Sequence, residues 1–79
     1  MKVKTLFFGA IGEIVGMRES EIEISDGATA GDVLAEYEEK HATLRGKRIL
    51  IAIDEVHSDK SVVLEDGQHV AFFTAVSGG

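Results

Sequence analysis

The residues of this 79-residue chain whose types could do chemistry are its last three, Ser77-Gly78-Gly79. Apart from the serine hydroxyl they carry no side chain, and glycine lets another backbone approach closely. A free carboxylate on so slender a tip can be threaded into a narrow channel and handled there as a reactive group. It is a poor electrophile until one oxygen becomes a leaving group. A partner holding ATP supplies that by adenylation, and a sulfur donor displacing AMP then leaves a C-terminal thiocarboxylate. Sulfur in that form is a soft, easily ionised nucleophile that needs no base beside it. Gly79 is the candidate reacting residue, with Gly78 giving the fit to the channel. Extended, the stretch from Thr74 to Gly79 spans about 20 Å, so the tip can reach a buried site while the globular body stays outside.

The rest of the chain offers no rival chemistry. Cysteine is absent, which excludes disulfides, thiolate nucleophiles, Fe–S clusters and Cys-type zinc sites. His41, His57 and His69 lie far apart without metal-ligand spacing, so no metal site is expected. Neither a phosphate-binding loop nor a dinucleotide fingerprint is present; Gly9, Gly12 and Gly16 are a weak echo of one. No cofactor is expected on the chain itself, the ATP belonging to the activating partner, and the chain is not expected to be catalytic alone. The net charge of −6 argues against nucleic acid. Arg45, Lys47 and Arg48 read as solvated loop, while the acidic residues solubilise the surface and steer it toward a basic partner. The opening Met1-Lys2-Val3-Lys4 has no signal-peptide pattern, and no apolar run approaches the ~20 residues of a membrane span. A soluble cytoplasmic domain without membrane contact is expected.

The elements that must position the tip follow from periodicity. Residues 2–8 read as a strand with Val3, Thr5 and Phe7 on one face and Leu6 and Phe8 on the other. Apolar residues on both faces predict a central strand covered on two sides. A short helix or turn fits 9–16, where Ile11, Ile14 and Val15 stand between glycines. Residues 21–25 read as a strand with Ile22 and Ile24 inward, ending at an Asp26-Gly27 turn. The main helix follows, with Thr29 and Asp32 forming a capping-box-like pair and Val33, Leu34 and Tyr37 at helical spacing. Residues 48–54 and 68–75 are strand-like, and a short strand is expected around Val62-Val63-Leu64. Successive strand residues point to opposite faces. Phe7 and Phe72 are therefore assigned to the core, and Phe8 and Phe73, joined by Val76 and Ser77, to an outward partner-binding patch. The order predicts an α+β domain, a ubiquitin-like β-grasp with a mixed sheet packed on one main helix. Its bounds are 1–75, with 76–79 a flexible tail.

Over nearly its whole length the sequence resembles the small subunit of molybdopterin synthase, a family of ubiquitin-like sulfur carriers. The resemblance rests on Val3-Lys4-Thr5-Leu6-Phe7-Phe8-Gly9-Ala10, Gly12-Glu13-Ile14-Val15-Gly16, Ile51-Ala52-Ile53-Asp54, the segment from Leu64-Glu65-Asp66-Gly67 through Phe72-Phe73, and Val76-Ser77-Gly78-Gly79. It implies that Gly79 is adenylated by an E1-like adenylyltransferase and converted to a thiocarboxylate. It further implies that the tail then enters the large synthase subunit and gives its sulfur to the pterin precursor of the molybdenum cofactor. The sequence departs from the family pattern at Gly12, usually arginine, and at Asp54, usually asparagine. It departs also at Gln68-His69, commonly Asp-Glu, and at Thr74-Ala75, commonly Pro-Pro. Alternative uses of the same activated carboxyl are conjugation through Gly79 to lysines of other proteins and sulfur carriage for thiamine synthesis. Thiamine carriers are generally shorter and lack the glycine-bounded segment.

Overall fold

In the computed structural model, which describes residues 1–75, the alternating segments form one five-stranded sheet. The elements are β1 (Lys2–Phe7), α1 (Ala10–Val15), β2 (Glu19–Glu23), α2 (Ala30–Lys40), a 3-10 turn (Ala42–Gly46), β3 (Ile49–Ile53), β4 (Val56–Ser58) and β5 (His69–Thr74). The strand order is β2-β1-β5-β3-β4, with β1 and β5 parallel and the other neighbours antiparallel. This is the mixed sheet on one main helix that the α+β, β-grasp expectation called for.

α2 forms where the sequence placed it, because its first turn is capped twice. The Thr29 side chain accepts from the Asp32 amide at 3.1 Å, and the Asp32 carboxylate accepts from the Thr29 amide at 2.9 Å. Its Val33, Leu34 and Tyr37 are buried against Val3, Phe7, Val70 and Phe72. Phe7 meets Tyr37 edge-on at 4.8 Å between ring centres, and stacks with Phe72 at 6.0 Å. Burying each such side chain contributes about 1.5–3 kcal/mol. One polar pair crosses this core. The Thr5 hydroxyl donates to the Ser20 carbonyl at 3.1 Å, which leaves the Tyr37 hydroxyl as donor to Thr5 Oγ1 at 2.9 Å.

Three expectations are corrected. Residues 62–64 make a single bridge, Thr29 with Val63, and not a strand. Their backbone is committed to the start of α2: Ala30 N–H donates to the Val62 carbonyl and Leu64 N–H to the Ala28 carbonyl. A strand does occur at Val56–Ser58, outside every segment expected to be one, closing a tight hairpin on β3. Finally, β1 is central, but the described residues cover only one of its faces. Its inward residues Val3, Thr5 and Phe7 are buried, while Phe8 is 52% exposed.

Replacing Tyr37 by Phe is expected to lower stability in urea unfolding by about 1 kcal/mol. Thr5→Val, which strands the Tyr37 hydroxyl in the core, is expected to cost more, about 1–3 kcal/mol.

Candidate docking face at the base of the tail

The helices lie on one side of the sheet, and the pairing registers define what the other side presents. Leu6 stands beside Ala71, Ala71 beside Ala52, Ala52 beside His57, and Phe73 beside Leu50. These residues share the open face. Leu6, Phe8, Ala52, Ala71 and Phe73 wall a groove of about 520 Å³, whose remaining lining is Asp54, Glu55 and His69. Small side chains at 52 and 71 form its floor, and the two phenylalanines rise at the end where β5 finishes.

Phe8 is held by its backbone and not by packing. Its N–H donates to the Phe72 carbonyl at 3.1 Å, and its own carbonyl accepts from Ile11 N–H at 3.2 Å. Gly9 follows at φ 56°, turning the chain into α1. Gly12 lets α1 lie against the end of β1, since a Cβ there would stand 3.0 Å from the Phe7 carbonyl oxygen. Phe73 is half-buried, its ring meeting His57 edge-on at 5.5 Å and 82°. Thr74 closes β5 opposite Ile49. The chain therefore leaves the sheet one residue after Phe73, and the sequence-assigned Phe8 and Phe73 fall at the point of departure. Val76, Ser77, Gly78 and Gly79 lie outside the described residues.

Sequence reasoning missed His57, because the hairpin that carries it turns at Asp54-Glu55 without a glycine. Ala52, Ala71 and His69 were findable, since alternation along β3 and β5 places them on the face of Phe73. The Ser61 hydroxyl, with the Ser61 amide second, holds the Asp59 carboxyl below the usual carboxylate range, in the loop after β4 and outside the groove. Among the described residues no group of three or more His, Asp or Glu is placed to hold a metal, and no helix is long and apolar enough to cross a membrane.

Residues 5–79 match the model of the ThiS family. The chain belongs to that family. A molybdopterin synthase sulfur carrier subunit from Mycobacterium tuberculosis is 33% identical over 82 residues, covering 100% of this chain and 99% of the relative. The small archaeal modifier protein 3 of Haloferax volcanii is 30% identical over 92 residues, with both chains fully covered. Among solved structures, a Pyrococcus furiosus protein assigned as molybdopterin converting factor subunit 1 superposes with a TM-score of 0.87 at 26% identity, over 96% of this chain and 99% of that one. Subunit 1 in a Helicobacter pylori complex of subunits 1 and 2 of molybdopterin-converting factor gives 0.72 at 23% identity with full coverage of both, a likeness of fold. The ubiquitin-like β-grasp and the resemblance to molybdopterin synthase small subunits are both borne out.

The two aromatic pairs should respond oppositely to truncation. Phe8→Ala is expected to leave the urea midpoint close to the parent, within about 0.5 kcal/mol. Phe72→Ala, emptying a fully buried site, is expected to cost about 3–5 kcal/mol and leave the domain largely unfolded.

Proposed function

We propose that this chain is the sulfur carrier subunit of a molybdopterin synthase, and that Gly79 carries the sulfur as a thiocarboxylate. The observation that carries the reading is the open end of the sheet, where Phe8 and Phe73 stand together beside the point from which the chain runs on to Ser77-Gly78-Gly79. An aromatic pair of this kind, Phe8 exposed and Phe73 half-exposed, marks a partner surface. It would dock the body while the slender tail is threaded into the partner. Relatives of equal length named as sulfur carrier subunits support the same reading.

In this account an E1-like adenylyltransferase binds ATP, and a Gly79 carboxylate oxygen attacks the α-phosphorus with release of pyrophosphate. A sulfur nucleophile then adds to the acyl carbon, and AMP departs with the C–O bonding pair. The large synthase subunit takes the tail next, with Val76 and Ser77 in the channel and Gly78 giving its narrow fit. The Gly79 sulfur attacks a carbon of the pterin precursor, an oxygen group leaving that carbon with its bonding pair, and water cleaving the acyl C–S bond then returns the carboxylate. The cytoplasm, where ATP is available for the first step, is the compartment this chemistry calls for. A second reading, conjugation of Gly79 to protein lysines, has one specific observation in its favour: the modifier protein among the full-length relatives.

Deleting Gly79, or adding residues after it, is expected to abolish sulfur transfer while leaving the urea midpoint unchanged; retained transfer would overturn the proposal. Intact-mass measurement of protein from the native host is expected to show a species in which one oxygen is replaced by sulfur. Isopeptide conjugates through Gly79 in its place would favour the modifier reading.

A further inference from the structure

The groove on the open face is apolar at the Phe8–Phe73 end and acidic at the other, where the β3–β4 hairpin turns. Its two carboxylates are not equivalent. Asp54 is occupied by the fold: Oδ1 accepts from the His69 amide at 2.9 Å, and its own N–H donates to the His69 carbonyl at 2.8 Å. Among the described residues the Glu55 carboxylate has no such partner. The one ion pair among the described residues is Lys4 with Glu19 at 3.6 Å, joining β1 and β2, two and three strands away from β3.

Glu55 also occupies a position that its backbone does not favour. Asp54 and Glu55 have φ 48° and 70°, the conformation of a two-residue hairpin turn whose second position is preferentially glycine. A side chain there works against local backbone preference. What it adds is a free negative charge at the mouth of an apolar groove.

We infer that the groove receives an apolar side chain of the large synthase subunit, and that a lysine or arginine beside that side chain pairs with Glu55. The inference rests on the proposed function and adds the chemistry of the partner's surface to it. Charge complementarity selects this occupant over a second copy of the same chain, because a molecule of net charge −6 repels itself. Ion pairs at an interface rim act chiefly on association rate and salt dependence.

The test is the affinity of Glu55→Gly, Glu55→Lys and Phe8→Ala chains for the large subunit of the same organism, measured by calorimetry and stopped flow across a salt series. Glu55→Gly relieves the turn, so its Tm is expected to rise by about 4 °C. Its Kd is nevertheless expected to weaken roughly two- to fivefold, mostly through slower association, with a flatter salt dependence. Glu55→Lys is expected to weaken it further. A merely structural role for Glu55 predicts that the better-folded glycine variant binds at least as well as the parent. Unchanged affinity and salt slope in Glu55→Gly, with Phe8→Ala still weakened, would overturn the inference and leave the docking reading standing. If Phe8→Ala also binds normally, the docking reading itself fails.

Discussion

Thr5 and Phe7 of β1 lie beside Val70 and Phe72 of β5 in a parallel pair, and this register joins the beginning and the end of the chain at the middle of the sheet. A parallel pair needs a long crossover, here most of the molecule, and α2 is the element that covers it. The crossover closes through the Asp66-Gly67 turn, where the Asp66 carboxylate accepts from Lys2 N–H at 2.8 Å and Gly67 N–H donates to the Lys2 carbonyl at 2.7 Å. With that register set, the residues that follow β1 and the residues that end β5 arrive at the same end of the sheet. Phe8 and Phe73 are neighbours there for that reason, and the tail must start beside them.

Alternation along these strands then separates two duties. Phe7 and Phe72 enter the aromatic core with Tyr37, where their burial holds a small domain together. Phe8 and Phe73, one residue further along each strand, face out and are free to serve recognition. Because the two sets differ in which side of the backbone they occupy, the outward set can vary with little effect on the fold. The proposed carrier, handed between an activating enzyme and a synthase subunit, would need such a face, together with a tip whose last two residues bring no side chain.

The sequence was legible wherever local pattern and tertiary environment agree. β1, β3 and β5 alternate cleanly, and the capping box at Thr29 and Asp32 marks the start of α2. The failures have separate causes. β4 was hidden because its turn is Asp54-Glu55, whose positive φ values no glycine announces. Val62-Val63-Leu64 has the composition of a strand, yet its backbone groups are drawn to the amides at the head of α2. The apolar outer face of β1 suggested cover from within the chain, since periodicity cannot tell an inner layer from a partner. Of the candidate site, Phe8 and Phe73 were readable from alternation alone. His57 and Glu55 were not, because their places depend on the hairpin.

The central claim is that sulfur travels on the main-chain carboxyl group of Gly79 and is delivered only when the body docks. It is tested most directly by a single-turnover experiment with isotopically labelled sulfur placed in the Gly79 thiocarboxylate. The labelled protein is mixed with the large synthase subunit and the pterin precursor, and the label is followed. The account predicts that the label appears in the pterin in step with return of the unmodified carboxylate. Label that stays on the protein, or reaches the pterin equally well from a free tail peptide, would contradict it.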